Sequence, residues 1–62
     1  MNRRLKFARI EAGMTQKQIA EKVDVSENSI CKWETGRSIP DRETQERVAE
    51  ILGVKRWEVF TS

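Results

Sequence analysis

The sequence has no histidine and one cysteine, Cys31. An intrachain disulfide is therefore impossible, and a structural zinc site would lack the nitrogen and sulfur ligands it needs. Without histidine, a metal-ligand set or a glycine-rich phosphate loop, an enzyme reading has no support. Proline is as scarce: Pro40 stands alone and restricts Ile39 to non-helical angles. Gly13, Gly36 and Gly53 are the only glycines, and each follows a helical pattern as its stop. No stretch approaches the ~18 apolar residues of a membrane span. The polar start MNRRLK does not read as a secretory signal, and none is expected. With a lone cysteine, this fits a reducing cytosol, so a cytoplasmic protein with no cofactor is expected.

What is present is short and charged. At 62 residues the chain is read as one domain, 1–62. A domain of this size buries only about 60% of its unfolded surface. Its core rarely supplies more than ~3–5 kcal/mol without a staple. Efficient helix packing, oligomerisation, or both must compensate. The net charge of +2 is unevenly placed. Residues 1–22 carry six basic and two acidic groups, whereas residues 23–62 carry six and eight. The basic end suggests an anionic partner, although an ordinary solvated surface also accounts for it.

Helical spacing dominates, with no repeat or low-complexity tract. A first helix is predicted from about Asn2 to Ala12, with Leu5, Ala8 and Ala12 on one stripe. Thr15 and Gln18 form a capping box for a second helix, whose stripe is Ile19, Ala20 and Val23. Ser26 caps a third, ending at Gly36. Asp41 caps a fourth, with Val48, Ala49 and Leu52 inward. KRWEVF allows a short fifth helix, whose cap position offers only Val54 or Lys55. Helices 2 and 3 are too closely linked to stack antiparallel and must cross steeply. At about 100° per residue, Ile30 and Trp33 point one way along helix 3. Asn28, Lys32 and Thr35 point the other, with Cys31 flanking and Glu27 at the helix start.

The run MTQKQIAEKVDVSENSICKWETGRSIP resembles the DNA-binding domains of lambdoid phage repressors and Cro proteins, the XRE family. Thr15-Gln16, Ile19-Ala20, Val25-Ser26, Ile30, Glu34, Gly36, Pro40 and Leu52-Gly53-Val54 carry the resemblance, in order, over nearly the whole chain. It implies an all-α, five-helix, lambda-repressor-like domain with a helix-turn-helix at helices 2 and 3. Ala20 would sit at the helix crossing, with Val25 and Ile30 plugging the angle. Two departures stand out. Asp24 replaces the usual glycine of the turn, and Trp57 stands where the family commonly has a polar residue.

In a helix-turn-helix the outward face of the second helix enters the DNA major groove. Asn28 there suits adenine N6 and N7, and Lys32 suits guanine O6/N7 or a phosphate, with plain solvation as its alternative. Glu27 either accepts from cytosine N4, favours the helix dipole, or orients Lys32 or Gln16. Cys31 either meets a thymine methyl or is partly buried against helix 2. The resemblance implies phosphate contacts from Gln16, at a helix N-terminus suited to anions, and from Arg37 and Ser38. Ser26 is a cap first and a phosphate donor second. Arg42 is a weaker candidate, and Asn2, Arg3 and Arg4 either reach phosphate or fray. The resemblance also implies a partly buried Arg9–Glu34 ion pair. Val59 and Phe60 would close the core, leaving Trp57, helped by Arg56, for a dimer interface. The alternative folds Trp57 over its own helix 4.

The expected function is therefore that of a sequence-specific, double-stranded DNA-binding transcriptional regulator. It would be a bacterial or phage repressor or Cro-like switch, homodimeric on a two-fold operator, blocking or touching RNA polymerase. The alternative is an antitoxin-like or adaptor module that binds protein through helices 4 and 5.

Overall fold

The computed structural model describes residues 2–60. Five helices follow in order: α1 (Arg3–Glu11), α2 (Gln16–Val23), α3 (Glu27–Thr35), α4 (Arg42–Leu52) and α5 (Arg56–Val59). No strand occurs among the described residues.

Local chemistry sets the starts. Asn2, Thr15, Ser26 and Asp41 each accept a hydrogen bond from a backbone N–H three residues on, at 2.9–3.2 Å. Each bond satisfies a donor that a helix start would otherwise leave open. The capping box at Thr15 is complete, because its own N–H donates to the Gln18 side chain at 2.8 Å. Thr44 hydrogen bonds hold the Asp41 carboxyl below its ordinary value. A depressed folded-state value means this cap contributes fully at neutral pH and fades as acid protonates it. At α5 only the return half of a box forms: the Lys55 N–H donates to the Glu58 carboxylate at 2.7 Å.

Helix α1 is shorter at both ends than its pattern suggests. Asn2 is its cap rather than its first residue. Ala12 lies past the end and is exposed, because Gly13 and Met14 turn back onto the carbonyls of Ile10 and Arg9. Half-buried Met14 meets the core in its place.

Leu5, Ile19, Val23, Ile30 and Val48 form the fully buried centre, ringed by Trp33, Leu52, Val59 and Phe60. Each of α1, α3 and α4 thus sends one side chain to the middle, and α2 sends two. Truncating such a residue to alanine costs ~2–5 kcal/mol, comparable with the stability of a domain this small. Helix α3 packs on α2 and α1, α4 on α2, and α5 on α4 and α1. Asn2 ties the ends of the described chain together. Its N–H donates to the Glu34 carbonyl at 2.9 Å and its Nδ2 to the Val59 carbonyl at 2.7 Å. The alternative of fraying is thereby corrected for Asn2, which is tied at both its backbone and its side chain.

Between α2 and α3 the chain reverses at Asp24, which is left-handed with φ 66° and ψ 47°. The Val25 N–H closes onto the Ala20 carbonyl at 3.0 Å, and Arg47 Nη1 donates to the Val23 carbonyl at 3.2 Å. The left-handed backbone is strained for any residue with a Cβ, though least so for Asp and Asn. Asp24→Gly should remove that strain, offset in part by a freer unfolded chain. We expect a gain of up to about 1 kcal/mol, read as a raised urea midpoint. A lowered midpoint would mean that the aspartate makes a compensating interaction.

Candidate nucleic-acid interface

Only Asp24, Val25 and Ser26 separate α2 from α3. With Ile30 and Trp33 buried, the register of α3 is fixed, and the other side of the helix is open. Glu27, Asn28, Cys31, Lys32 and Thr35 are all exposed there. Four of them carry no side-chain hydrogen bond or ion pair within the described residues, whereas the Thr35 hydroxyl donates back to the Cys31 carbonyl at 2.9 Å. Exposure corrects the reading of Cys31 as partly buried against α2. Glu27 makes no contact that orients Lys32 or Gln16, so that role is corrected as well.

Gln16 is oriented from elsewhere. Its Nε2 donates to Glu34 Oε1 at 3.0 Å, across the angle between α2 and α3. The same carboxylate takes Arg9 Nε on its other oxygen at 2.6 Å, and Arg9 Nη2 approaches at 3.4 Å. Arg9 Nη1 meanwhile donates to the Met14 carbonyl at 2.9 Å. Both ions are largely out of solvent, Glu34 at 5% and Arg9 at 11% side-chain exposure. One buried carboxylate therefore sets α1, the start of α2 and α3 against one another. A carboxylate so placed needs its partners, because an unpaired buried charge is expensive. Gln16 keeps a second amide hydrogen and stands beside the open N–H groups of a helix start. Nothing near Gln16 in the sequence marks its bond to Glu34, eighteen residues away.

The remaining candidates border this face. Ser26 caps α3, and its hydroxyl lies 3.0 Å from that of Ser29. Arg37 and Ser38 are exposed, and their N–H groups fold onto the Lys32 carbonyl at 2.9 and 3.4 Å. This fixes the loop leaving α3. Arg42 makes a loose exposed pair with Glu46 at 3.5 Å, a geometry that contributes ~0–1 kcal/mol. Trp57 and Arg56 lie away from the open face of α3, on α5. Trp57 is 61% exposed and is not part of the core. Arg56 is half-buried and donates to Gln45 Oε1 at 3.1 Å. Among the described residues no group of His, Cys, Asp and Glu could hold a metal ion, and no helix is long and apolar enough to cross a membrane.

Two short helices crossing at a three-residue turn, the second with an open polar face, define a helix-turn-helix. The chain belongs to that family, in its XRE type: the family model described as a helix-turn-helix domain matches residues 2–62. Among curated proteins it is 35% identical over 87% of its length to the HTH-type transcriptional regulator ImmR of Bacillus subtilis. It is 42% identical over 77% to multiprotein-bridging factor 1 of Candida albicans. An uncharacterized HTH-type transcriptional regulator of Methanocaldococcus jannaschii is 32% identical over 97% of this chain and 91% of its own. The chain spans only 42% of the Bacillus protein and 32% of the Candida protein. No solved structure matches it significantly.

Arg9→Met should leave Glu34 charged, buried and held only by Gln16. Removing one partner of a buried pair typically costs ~3–5 kcal/mol, so denaturant melts should show most of the fold's stability gone. Arg9→Met with Glu34→Leu should recover much of the loss, because no charge then remains buried. A single variant as stable as the parent would show that the pair contributes nothing to the packing of α1 on α3.

Proposed function

We propose that the protein is a sequence-specific, double-stranded DNA-binding transcriptional regulator that reads a two-fold operator as a homodimer. One observation carries the reading: α3 presents Glu27, Asn28, Cys31 and Lys32 outward from a helix pair locked by Glu34. Asn28 pairs with adenine, Lys32 with guanine or phosphate, Glu27 with cytosine N4, and Cys31 meets a thymine methyl. Gln16, Ser26, Arg37 and Ser38 hold the phosphates and fix the register. No cofactor or catalytic role is assigned. Regulation works by occupancy, blocking RNA polymerase or touching it, in the cytoplasm. Relatives named transcriptional regulators support this reading.

Selection of bound duplexes from a random pool tests it, and should return a half-site and its spacing. On that site each phosphate contact contributes about −0.9 to the slope of log K against log salt. Asn28→Ala should relax preference at one base pair, at about 1–3 kcal/mol. Gln16→Ala should weaken specific and nonspecific duplexes alike, because phosphates carry no direct sequence information. Affinity indifferent to salt, or the two variants exchanging these effects, would overturn the assignment.

A second reading, an antitoxin-like or adaptor module using α4 and α5, is favoured by one observation, the similarity to a protein named a multiprotein-bridging factor. Such an adaptor would show no steeply salt-dependent duplex binding.

The dimer is assigned to Trp57, helped by Arg56. Its indole on α5 is 61% exposed, a large apolar surface left open to solvent. The interface would set half-sites about 34 Å apart. Trp57→Ala should therefore weaken binding to a full site and leave a half-site unchanged. Equal affinities for the two sites, before and after substitution, would remove Trp57 from the dimer.

A further inference from the structure

A groove of about 630 Å³ runs between the start of α1, the loop after α3, the start of α4 and the Arg56 and Val59 side of α5. Its lining carries four arginines, Arg3, Arg4, Arg42 and Arg56, and no acidic side chain. Arg42 is only loosely engaged, with both partners of its pair well exposed. Arg56 is half-buried, yet its hydrogen-bond partner is the neutral amide of Gln45, itself held by the Pro40 carbonyl at 2.8 Å. The guanidinium is thus oriented without being neutralised. Between the cations the wall is apolar: Ile39 is 74% exposed, and Trp33 closes the floor.

We propose that this groove binds a small organic anion, a carboxylate carried on an aromatic or aliphatic body. Guanidinium forks match carboxylates in a bidentate geometry, and the apolar wall takes the body of the ligand. The volume lies within the ~300–1,000 Å³ typical of small-molecule sites. A second copy seated groove on groove is the wrong occupant, because four arginines would meet four more; the dimer surface proposed above shares only Arg56 with the groove, since Trp57 is not in its lining. Ser38, assigned above to phosphate, stands on the lining, but a DNA backbone is a poorer fit to the groove as a whole. Trp33 lies on the side of α3 turned away from Asn28 and Lys32, and phosphates have no use for an apolar wall. The proposal goes beyond the DNA-binding reading and does not rest on it.

The test uses the full chain, labelled with 15N, and 2-naphthoate as the probe. Amide shifts should concentrate at Ile39 and Arg56, and should be absent with 2-naphthamide, which has the same rings without the charge. Acetate, the charge without the rings, should bind far more weakly. The exposed pair Arg3→Gln and Arg4→Gln should weaken naphthoate about tenfold, the effect of losing roughly one charge-assisted hydrogen bond. The pair Lys17→Gln and Lys22→Gln, which removes the same charge elsewhere, should leave affinity unchanged. Equal shifts with the amide, equal losses in both pairs, or no groove shifts at millimolar naphthoate would each overturn the proposal. So would a groove that responds only to duplex DNA, since its arginines would then serve phosphates.

Discussion

The carboxylate of Glu34 is the constraint on which the arrangement of helices depends. It is buried and cannot be left alone, so Arg9 must come from α1 and Gln16 from α2 to meet it. The backbone carbonyl of the same residue takes the N–H of Asn2. Three separate stretches of chain thus converge on one residue at the end of α3. Apolar packing is tolerant of sliding, because dispersion and burial have little direction. A carboxylate with donors on both oxygens is directional, and a shift of one helix by a fraction of a turn would break it. Here the ionic contact adds orientation to a core that already supplies cohesion.

That division explains how much was legible in the residues. Features whose cause lies within four positions could be read: the caps at Thr15, Ser26 and Asp41, the stops at Gly36 and Gly53, and the burial of Ile30 and Trp33. Their bonds run from i to i+3, or follow a single periodicity. Asp24 was also readable, as a residue tolerant of left-handed angles where the family's turn has glycine. The bonds from Asn2 to Val59 and from Gln16 to Glu34 span 57 and 18 positions. No local pattern announces them, because the fold brings the partners together only after the helices pack. Ala12 was misjudged because periodicity does not say where a helix stops counting. Cys31 stays open between burial and exposure in the sequence, because a small apolar side chain fits either until the neighbouring helix is placed.

The charge asymmetry is spatial as well as sequential. The arginines at the start of α1 share a groove with Arg42 and Arg56, although the second half of the chain is net acidic. Three of the eight acids of that half, Glu43, Glu46 and Glu50, lie along α4, where Glu43 and Glu46 pair loosely within the helix. Net charge therefore conceals a strongly one-signed cleft. The open face of α3 is more mixed, with Glu27 and Lys32 about one and a half turns apart and neutral groups around them.

Along the nine residues of α3, inward and outward duties interleave without sharing side chains. Ile30, Trp33 and Glu34 hold the protein together, whereas Glu27, Asn28, Cys31 and Lys32 hold nothing within the described residues. Exchanges at such exposed positions usually change stability by less than about 0.5 kcal/mol. A lineage carrying this domain can therefore alter what the face recognises without passing through a poorly folded ancestor. Duplicated copies would be free to drift apart in preference while remaining interchangeable as scaffolds. A fold this small, with little stability to spare, can diversify only if its variable letters are kept out of its foundations.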